Sequence, residues 1–496
     1  MMHGPEKSDS SIVAMKLTNK PIIKGAELME PRGEAKGNTE QQRTRRTQSR
    51  VRVSQRLDRV RQAAKQRKER FTALMHHINV DLLYTAFYWL KRDAAAGVDG
   101  TTWREYEVDL EARLKDLHQR IHNNTYRAQP SRRQYIPKQD GQQRPLGIAA
   151  LEDKIVQRAV VEVLNAVYEQ DFLGYSYGFR PGRGQHDALD ALAVGIDSAK
   201  VNWILDADIR RFFDTVSHEW LTRFLEHRIG DPRILRLIRK WLKAGVMEDG
   251  TITQVEEGVP QGAVISPLLA NIYLHYVFDL WANQWRKRYA QGQVIIVRYA
   301  DDIVVGFESV LDAKRFREAL QTRIEQFGLA LNTEKTRLIE FGRYAAANRA
   351  RRGLGKPESF NFLGFTHICG RSRKGNFRLR RKSRRDRVRA KLREIKAELR
   401  RRMHHSIPEQ GKWLRQVITG FFAYHAVPTN SKSLSAFRYH VIDLWRRTLK
   451  KRSQKDRTRW DRISNIADYW LPAPRILHPW PRVRFAVKHP RWEPGA

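Results

Sequence analysis

Apolar and polar positions along the 496-residue chain change their spacing several times, and each change predicts a different element. Up to about Asn38 the segment is polar without a sustained apolar period, so no stable element is expected there. Between Arg43 and Arg70, Val53, Leu57 and Val60 recur at helical spacing inside a strongly basic stretch, which predicts a basic helix leading into the folded body. From about Phe71 to Gly370, helical spacing alternates with short β-prone runs: Trp203 to Ile209, Val294 to Val297 and Ile303 to Phe307. Further on, Val388, Leu392, Ile395, Leu399 and Met403 repeat every three or four residues, the stripe of a helix with one packed face. Two more helices are expected between Trp413 and Arg459, split by Pro428-Thr429-Asn430 and followed by a Pro-, Trp- and Arg-rich tail. The expected organisation is an N-terminal extension (1–70), an α+β body (71–370), a helical region (371–460) and a basic tail (461–496).

Length and composition sharpen this picture. A chain this long calls for two to four domains at roughly 100–200 residues each, and a hydrophobic share of 41% is enough to fold them. The balance of 93 Lys+Arg against 54 Asp+Glu gives a formal net charge of +39. A compact state so charged repels itself, and a polyanion is its natural complement. No apolar run reaches the ~18–20 residues of a bilayer span, and no charged-then-apolar leader opens the chain, so a cytoplasmic, nucleic-acid-associated protein is expected rather than a membrane protein. Cys369 is the only cysteine, which rules out an internal disulfide or a Cys-rich zinc finger and fits a reducing compartment. From Arg371 to Arg402 there are seventeen basic and three acidic residues. With one face of that helix packed, Arg389, Arg393 and Arg400 are candidate phosphate contacts on the other. Charge names a partner and not a reaction, because a ribosome-associated protein would share it.

Reaction chemistry enters with Tyr299-Ala300-Asp301-Asp302, which lies between two β-prone runs and predicts a hairpin with two carboxylates at its tip. Two aspartates in a turn are by themselves ordinary turn chemistry. Upstream, however, the period of two along Trp203 to Ile209 puts Asp206 and Asp208 on one side of a second strand. Phosphoryl transfer from a nucleoside triphosphate uses two Mg²⁺ ions about 4 Å apart bridged by hard oxygen ligands, and two strands that each offer an aspartate meet that demand. Without metals, such crowded carboxylates would raise one another's pKa.

Asp208-Ile209-Arg210-Arg211-Phe212-Phe213 resembles the first aspartate motif of reverse transcriptases, and Tyr299-Ala300-Asp301-Asp302 resembles their second. Between them, Gly258 to Asn271 (GVPQGAVISPLLAN) is similar to the signature of the group II intron branch, and the likeness runs from about Ala95 to Trp460. The resemblance implies a right-hand polymerase with fingers, an antiparallel palm sheet and a helical thumb/maturase domain. It implies Asp208 and Asp301 as the main ligands of two Mg²⁺ ions (Mn²⁺ as a substitute), with Asp302 a weaker one. Asp206 is not a family ligand, and Asp214 is expected to cap the following helix.

By the same resemblance, Phe213 lies under the incoming sugar and excludes a ribose 2′-hydroxyl. Lys138 and Arg144, in a hairpin similar to the family's fingers, neutralise the triphosphate. Gln261 lies against the template and the new base pair, and Ser266-Pro267 opens the next helix, with Ser as cap and Pro in the first turn. Lys335 protonates the departing pyrophosphate, Phe360 to Phe365 grips the primer, and Arg180, in Gly178 to Arg183, contacts nucleic acid. The region from Arg380 to Trp460 resembles the part that holds intron RNA and assists splicing. With one cysteine and an end at Ala496, no Cys-bearing HNH endonuclease is expected, and His478 and His489 are expected to be non-catalytic.

The implied function is an RNA-directed DNA polymerase that binds structured intron RNA, assists splicing and copies the RNA from a DNA primer or target with deoxynucleoside triphosphates. A related enzyme of defence or repair ranks second; a diversity-generating relative would carry Ser-Gln in place of Pro260-Gln261. A non-catalytic RNA-binding splicing factor ranks third, because it would need neither the three aspartates nor Lys138, Arg144 and Phe213. The oligomeric state is not legible in the sequence.

Overall fold

The computed structural model describes residues 39–66, 70–137, 143–254, 256–452 and 459–489. The polar segment up to Asn38, and Lys138, lie outside the described residues. Strands follow in chain order as β1 (Ser131–Pro137), β2 (Gln143–Ile148), β3 (Trp203–Asp208), β4 (Val246–Glu248), β5 (Thr251–Thr253), β6 (Val294–Tyr299), β7 (Asp302–Phe307), β8 (Arg337–Glu340), β9 (Phe360–Phe362), β10 (Phe365–Arg371) and β11 (Phe377–Ser383). They form three sheets in the orders β2-β1-β4-β5, β6-β7-β3-β8 and β11-β10-β9, in a mixed α+β fold.

The sheet β6-β7-β3-β8 is the centre of the molecule and is antiparallel throughout. It is covered on both faces, which is why β6 and β7 read as nearly continuous apolar runs. Leu205, Ala207, Ile296, Ile303 and Val305 point into the larger core, shared with helices Leu151–Tyr168, Ser266–Leu274 and Val310–Glu325. Ile204, Ile295, Val297, Val304 and Ile339 point the other way, into a second core closed by helix Gln185–Ser198 and the sheet β9–β11. Successive side chains alternate between the two cores, as the two-residue period of a strand requires.

The basic N-terminal helix forms as Thr39–Lys65. Val53, Leu57 and Val60 are buried, and the helix packs on helices Val80–Trp89 and Leu151–Tyr168. Ile395, Leu399, Leu414, Phe437 and Trp445 build a third core among helices Arg385–Arg401, Ile407–His425, Ser431–Lys450 and Trp460–Trp470. The break at Pro428-Thr429-Asn430 stands where the sequence put it, and its polar side chains hold β11: Thr429 Oγ1 accepts from the N–H of Arg381 (2.9 Å) and Asn430 Oδ1 from that of Ser383 (3.0 Å).

Within the segment expected to be a basic tail, the described residues fold back on the body instead. Trp480-Pro481 starts a helix, Pro481–Lys488, whose Phe485 enters the second core against helix Gln185–Ser198. Its cations meet that helix's acids, Arg484 with Asp190 at 3.2 Å and Lys488 with Asp187 at 2.6 Å. Among the described residues no helix is long and apolar enough to cross a membrane.

Candidate catalytic site

Two residues, Ala300 and Asp301, join β6 to β7, with Tyr299 and Asp302 as the last register pair. So short a connection needs a residue of positive φ, and Ala300 takes it (φ 55°). For a non-glycine residue that conformation costs roughly 1–3 kcal/mol unless its surroundings hold it. Arg298 holds it. This fully buried guanidinium donates to the Ala300 carbonyl (3.0 Å), to both carboxylate oxygens of buried Asp279 (2.7 and 2.5 Å), to Asn271 Oδ1 (3.0 Å) and to Ser176 Oγ (2.7 Å). Asp279 ends a π-helical turn, His275–Asp279, that continues helix Ser266–Leu274; such turns often re-aim side chains at functional sites.

Asn271 passes the support outward by donating to the Gly178 carbonyl (2.7 Å). Gly178 lies so close under the turn that a Cβ there would collide with the backbone of Ala300 and Tyr299. The Gly178 to Arg183 segment is thus the floor of the hairpin turn, and this corrects the expectation for Arg180. That side chain is buried, its guanidinium paired with Glu169 (2.9 Å), donating to the carbonyls of Leu173 and Ser176 (2.8 Å each) and lying over the Phe172 ring. It is a brace of the floor, buried and turned inward to protein acceptors.

β3 runs beside β7 with Asp208 directly opposite Asp302 and Asp206 opposite Val304. Directly opposed residues have Cα atoms about 4.5–5.5 Å apart, so Asp208 and Asp302 share one end of the sheet and Asp301 projects from the turn beside them. Asp302 opens β7 as an exposed residue, yet desolvation by the protein packed around its carboxyl, followed by the charges of Asp301, Asp208 and Asp206, pushes it up to about 7. Desolvation raises Asp301 as well, with a further push from Asp208 and relief from Arg144 and Arg298. Asp206 rises to about 6 by desolvation, with Arg337 opposing and Asp208 adding. Among the described residues no three His, Cys, Asp or Glu side chains already converge as a closed metal cage. The donor set is nonetheless all hard carboxylate oxygen, held together against its own repulsion, and that suits a magnesium-like ion.

Around the carboxylates, Lys335 is exposed and its Nζ stands 3.9 Å from Asp208 Oδ2. Thr336 Oγ1 accepts from the Asp208 N–H (3.3 Å), and Asn332 donates its N–H to the Asp208 carbonyl (2.8 Å), so this loop is stitched to the end of β3. Phe213 is half-buried, its ring edge-on to that of buried Phe212, and its carbonyl accepts from the N–H of Val259 (2.8 Å). Gln261 donates from Nε2 to Asp214 (3.1 Å) and accepts at its carbonyl from the Gly147 N–H (2.6 Å), tying this loop to β2. At Gly262 (φ +109°) a Cβ would sit 2.8 Å from the Gly147 carbonyl. Arg144, exposed on β2, pairs in register with Ile136.

Two expected caps are corrected. Asp214 lies inside the short helix Phe212–Thr215 that follows β3, and Ser217 caps the next helix, His218–Arg228, by accepting from the Trp220 N–H. Ser266 is the first residue of its helix, with Ile265 before it making no side-chain cap bond, and its hydroxyl donates to the Pro260 carbonyl (2.8 Å), closing the Gly258 to Gly262 loop. β9 and β10 join through a tight turn at Leu363-Gly364, whose Leu363 carbonyl accepts from the Tyr424 hydroxyl (2.8 Å). Arg389, Arg393 and Arg400 are exposed on helix Arg385–Arg401. The start of that helix faces the carboxylates, since the charge of Arg387 lowers Asp302 and that of Arg384 lowers Asp206. The sequence reading missed Arg387, Arg298, Asp279 and Ser176; an arginine inside an otherwise apolar strand was the one available signal for the network.

An antiparallel sheet that gathers carboxylates from adjacent strands at one end, beside a basic helical region, is the construction of a template-directed nucleotide polymerase. Residues 136–367 match the family model described as reverse transcriptase (RNA-dependent DNA polymerase). Over 317 residues the chain is 34% identical to Protein YkfC of Escherichia coli K12, covering 57% of this chain and 78% of that protein. It is 37% identical over 209 residues to the group II intron-encoded protein LtrA of Lactococcus lactis, covering 42% of this chain and 35% of LtrA. The nuclear intron maturase 3 of Arabidopsis thaliana is 28% identical over 228 residues, covering 40% of this chain and 31% of that protein. The chain belongs to the reverse transcriptase family, the RNA-directed DNA polymerases, in the branch of group II intron proteins and maturases.

The raised carboxyls set a pH dependence. In the fold Asp302 keeps its proton up to about pH 7, whereas in the unfolded chain it ionises near its ordinary value of about 4. The cost of charging it therefore grows as pH rises through that window and is constant above it. In EDTA, Asp302→Asn should melt higher than the native protein by a margin that widens from about pH 5 to about pH 8. A margin independent of pH, read from melting curves, would mean that Asp302 ionises normally.

Proposed function

We propose that this reverse transcriptase works by two-metal nucleotidyl transfer, binds a structured intron RNA as partner and template, assists its splicing, and extends a DNA primer or target end along it. The observation that carries this reading is Asp208 facing Asp302 across β3 and β7, with Asp301 at the turn. In the reaction a primer 3′-hydroxyl attacks the α-phosphorus of a deoxynucleoside triphosphate, and pyrophosphate leaves with a proton to be supplied. Asp208, Asp301 and Asp302 would hold two Mg²⁺ ions, or Mn²⁺ in their place, which when bound activate the hydroxyl and neutralise the triphosphate. Lys335, 3.9 Å from Asp208, would give the leaving group its proton. Arg144 and Lys138 neutralise the phosphates, Gln261 lies against the template base pair, and the Phe213 ring fills the space a 2′-hydroxyl would need.

In this reading residues 71–370 are the fingers and palm and 371–460 the thumb and maturase domain. The exposed cations of helix Arg385–Arg401, Arg389, Arg393 and Arg400 among them, track RNA phosphates. Splicing is proposed from the intron relatives. The chain spans about a third of the length of LtrA, so that protein's whole activity is carried over only as proposal.

On a poly-rA template with an oligo-dT primer and Mg²⁺, Asp301→Asn should lose synthesis by at least about a hundredfold, the scale of removing one group that stabilises transition-state charge, while keeping the melting behaviour of a folded protein. Near-normal synthesis by that variant together with loss in Asp206→Asn would reverse the ligand assignment.

Phe213→Val should raise ribonucleotide over deoxynucleotide incorporation by about tenfold, roughly 1.4 kcal/mol of discrimination. An unchanged ratio in competition assays would return Phe213 to a packing role.

Replacing Arg389, Arg393 and Arg400 with Gln should weaken binding to structured RNA and flatten the slope of log affinity against log salt by about two to three. Short-primer extension at saturating template should persist. An unchanged slope with lost extension would make this helix part of the catalytic scaffold.

A further inference from the structure

Away from the carboxylates, helix Pro232–Lys243 carries five basic residues and no acidic one. Its apolar side, with Ile234, Leu235, Leu237, Ile238, Trp241 and Leu242, is buried in the larger core, so the cations are displayed on the opposite face. Arg236, Lys240 and Lys243, with Arg239 beside them, line an open hollow of about 470 Å³ whose other wall is Tyr126-Arg127.

The hollow is built on fixed parts. Tyr126 is buried, its hydroxyl donating to Asp153 and accepting from Trp241 Nε1 (2.9 Å). Lys240 Nζ donates to the Tyr126 carbonyl (2.6 Å) and lies by the Tyr126 ring. Arg239 has a partner in Glu226 (2.6 Å), but among the described residues no carboxylate pairs with Arg127, Arg236 or Lys243, all three exposed. Desolvation, then the charges of Arg236 and Arg127, lowers Lys240, so the site concentrates positive charge that the protein itself leaves uncompensated. Four close cations around a concave floor repel one another, an arrangement that an anion with several oxygens relieves.

The position of the hollow separates it from the reaction centre. Tyr126 and Arg127 precede β1, and the helix leads into β4, which pairs with the first residues of β1, Ser131 and Arg132. Arg144 is near the other end of that sheet, opposite Ile136. The length of β1 lies between them, on the order of 20 Å, too far for one nucleoside triphosphate to span.

We infer that the hollow formed by Arg127, Arg236, Lys240 and Lys243 is a second nucleic-acid site, which seats phosphodiester groups of the RNA strand outside the catalytic cleft. The choice of RNA rests on the reading of the chain as a polymerase that copies RNA. The same sheet links the two places, because the loop of Gln261 that meets the template in that reading is hydrogen-bonded to β2 at Gly147.

The test uses the full chain with Arg127, Arg236 and Lys243 replaced by Gln, beside a charge-matched control with Lys314, Arg315 and Arg317 replaced by Gln on helix Val310–Glu325. Binding of a long single-stranded RNA is followed by fluorescence anisotropy between about 50 and 200 mM salt. The variant should bind about tenfold more weakly and lose about two from the salt slope, at roughly 0.7 per phosphate contact, and the control should change neither. Extension of a primer on a template too short to leave the cleft should equal the native rate. That arm separates the two claims: if it fails in native protein the polymerase reading is wrong, whereas if it holds and the two triple variants bind RNA alike the second site is wrong. Equal weakening for single-stranded DNA would widen the ligand to any phosphodiester strand and overturn the assignment to RNA. Competition by polyglutamate as strong as by RNA at matched charge would replace the RNA strand with an acidic protein and overturn it too.

Discussion

The catalytic end of the central sheet depends on one buried ion pair, Arg298 with Asp279, both fully sequestered from water. A buried pair of this kind is poor evidence of stability, because desolvating two charges offsets most of their attraction, while removing one partner alone costs about 3–5 kcal/mol. Its value lies in position. All five N–H groups of the guanidinium have acceptors, spread over the turn carbonyl, the π-helical turn, the helix before it and Ser176, just ahead of the floor segment. A strained Ala300 conformation thus becomes the only one available, and Asp301 and Asp302 inherit a fixed direction.

That fixity makes the crowding of carboxylates tolerable. Asp208 comes from a different strand whose register is set by pairing on both sides, with β7 and β8, so it cannot retreat from Asp302 by sliding. Desolvation first, and the neighbouring negative charges after it, appear instead as raised proton affinity at Asp302. The protein stores an unfavourable electrostatic arrangement at one end of its central sheet, and the helices and second core around the sheet supply the packing that keeps it in place.

Much of this was legible in sequence. Strand β3, the hairpin β6–β7, the basic N-terminal helix and the break at Pro428-Thr429-Asn430 follow from local spacing and from turn residues acting on their neighbours. Arg180 was misread because a basic side chain in a glycine-rich loop looks the same whether it meets phosphate or Glu169, and that partner is settled only by the fold. Ser266 and Asp214 were misread for a related reason: a cap depends on where the helix starts to within one residue, and the Pro260 carbonyl and the Gln261 amide claimed these two side chains first. The Arg298 network was hidden because its members are scattered from Ser176 to Ala300, with no periodicity to join them.

The docking of helix Pro481–Lys488 on helix Gln185–Ser198 also orders events during synthesis. Lys488 and Asp187 are 301 residues apart, so at a translation rate of about 5–20 residues per second the earlier helix waits roughly 15–60 s for its cover. Until Phe485 emerges, one wall of the second core is open. The layer behind the carboxylates therefore closes only after residue 488 has been made, 301 residues beyond Asp187, so the backing of the site is finished well after the strands that carry its carboxylates.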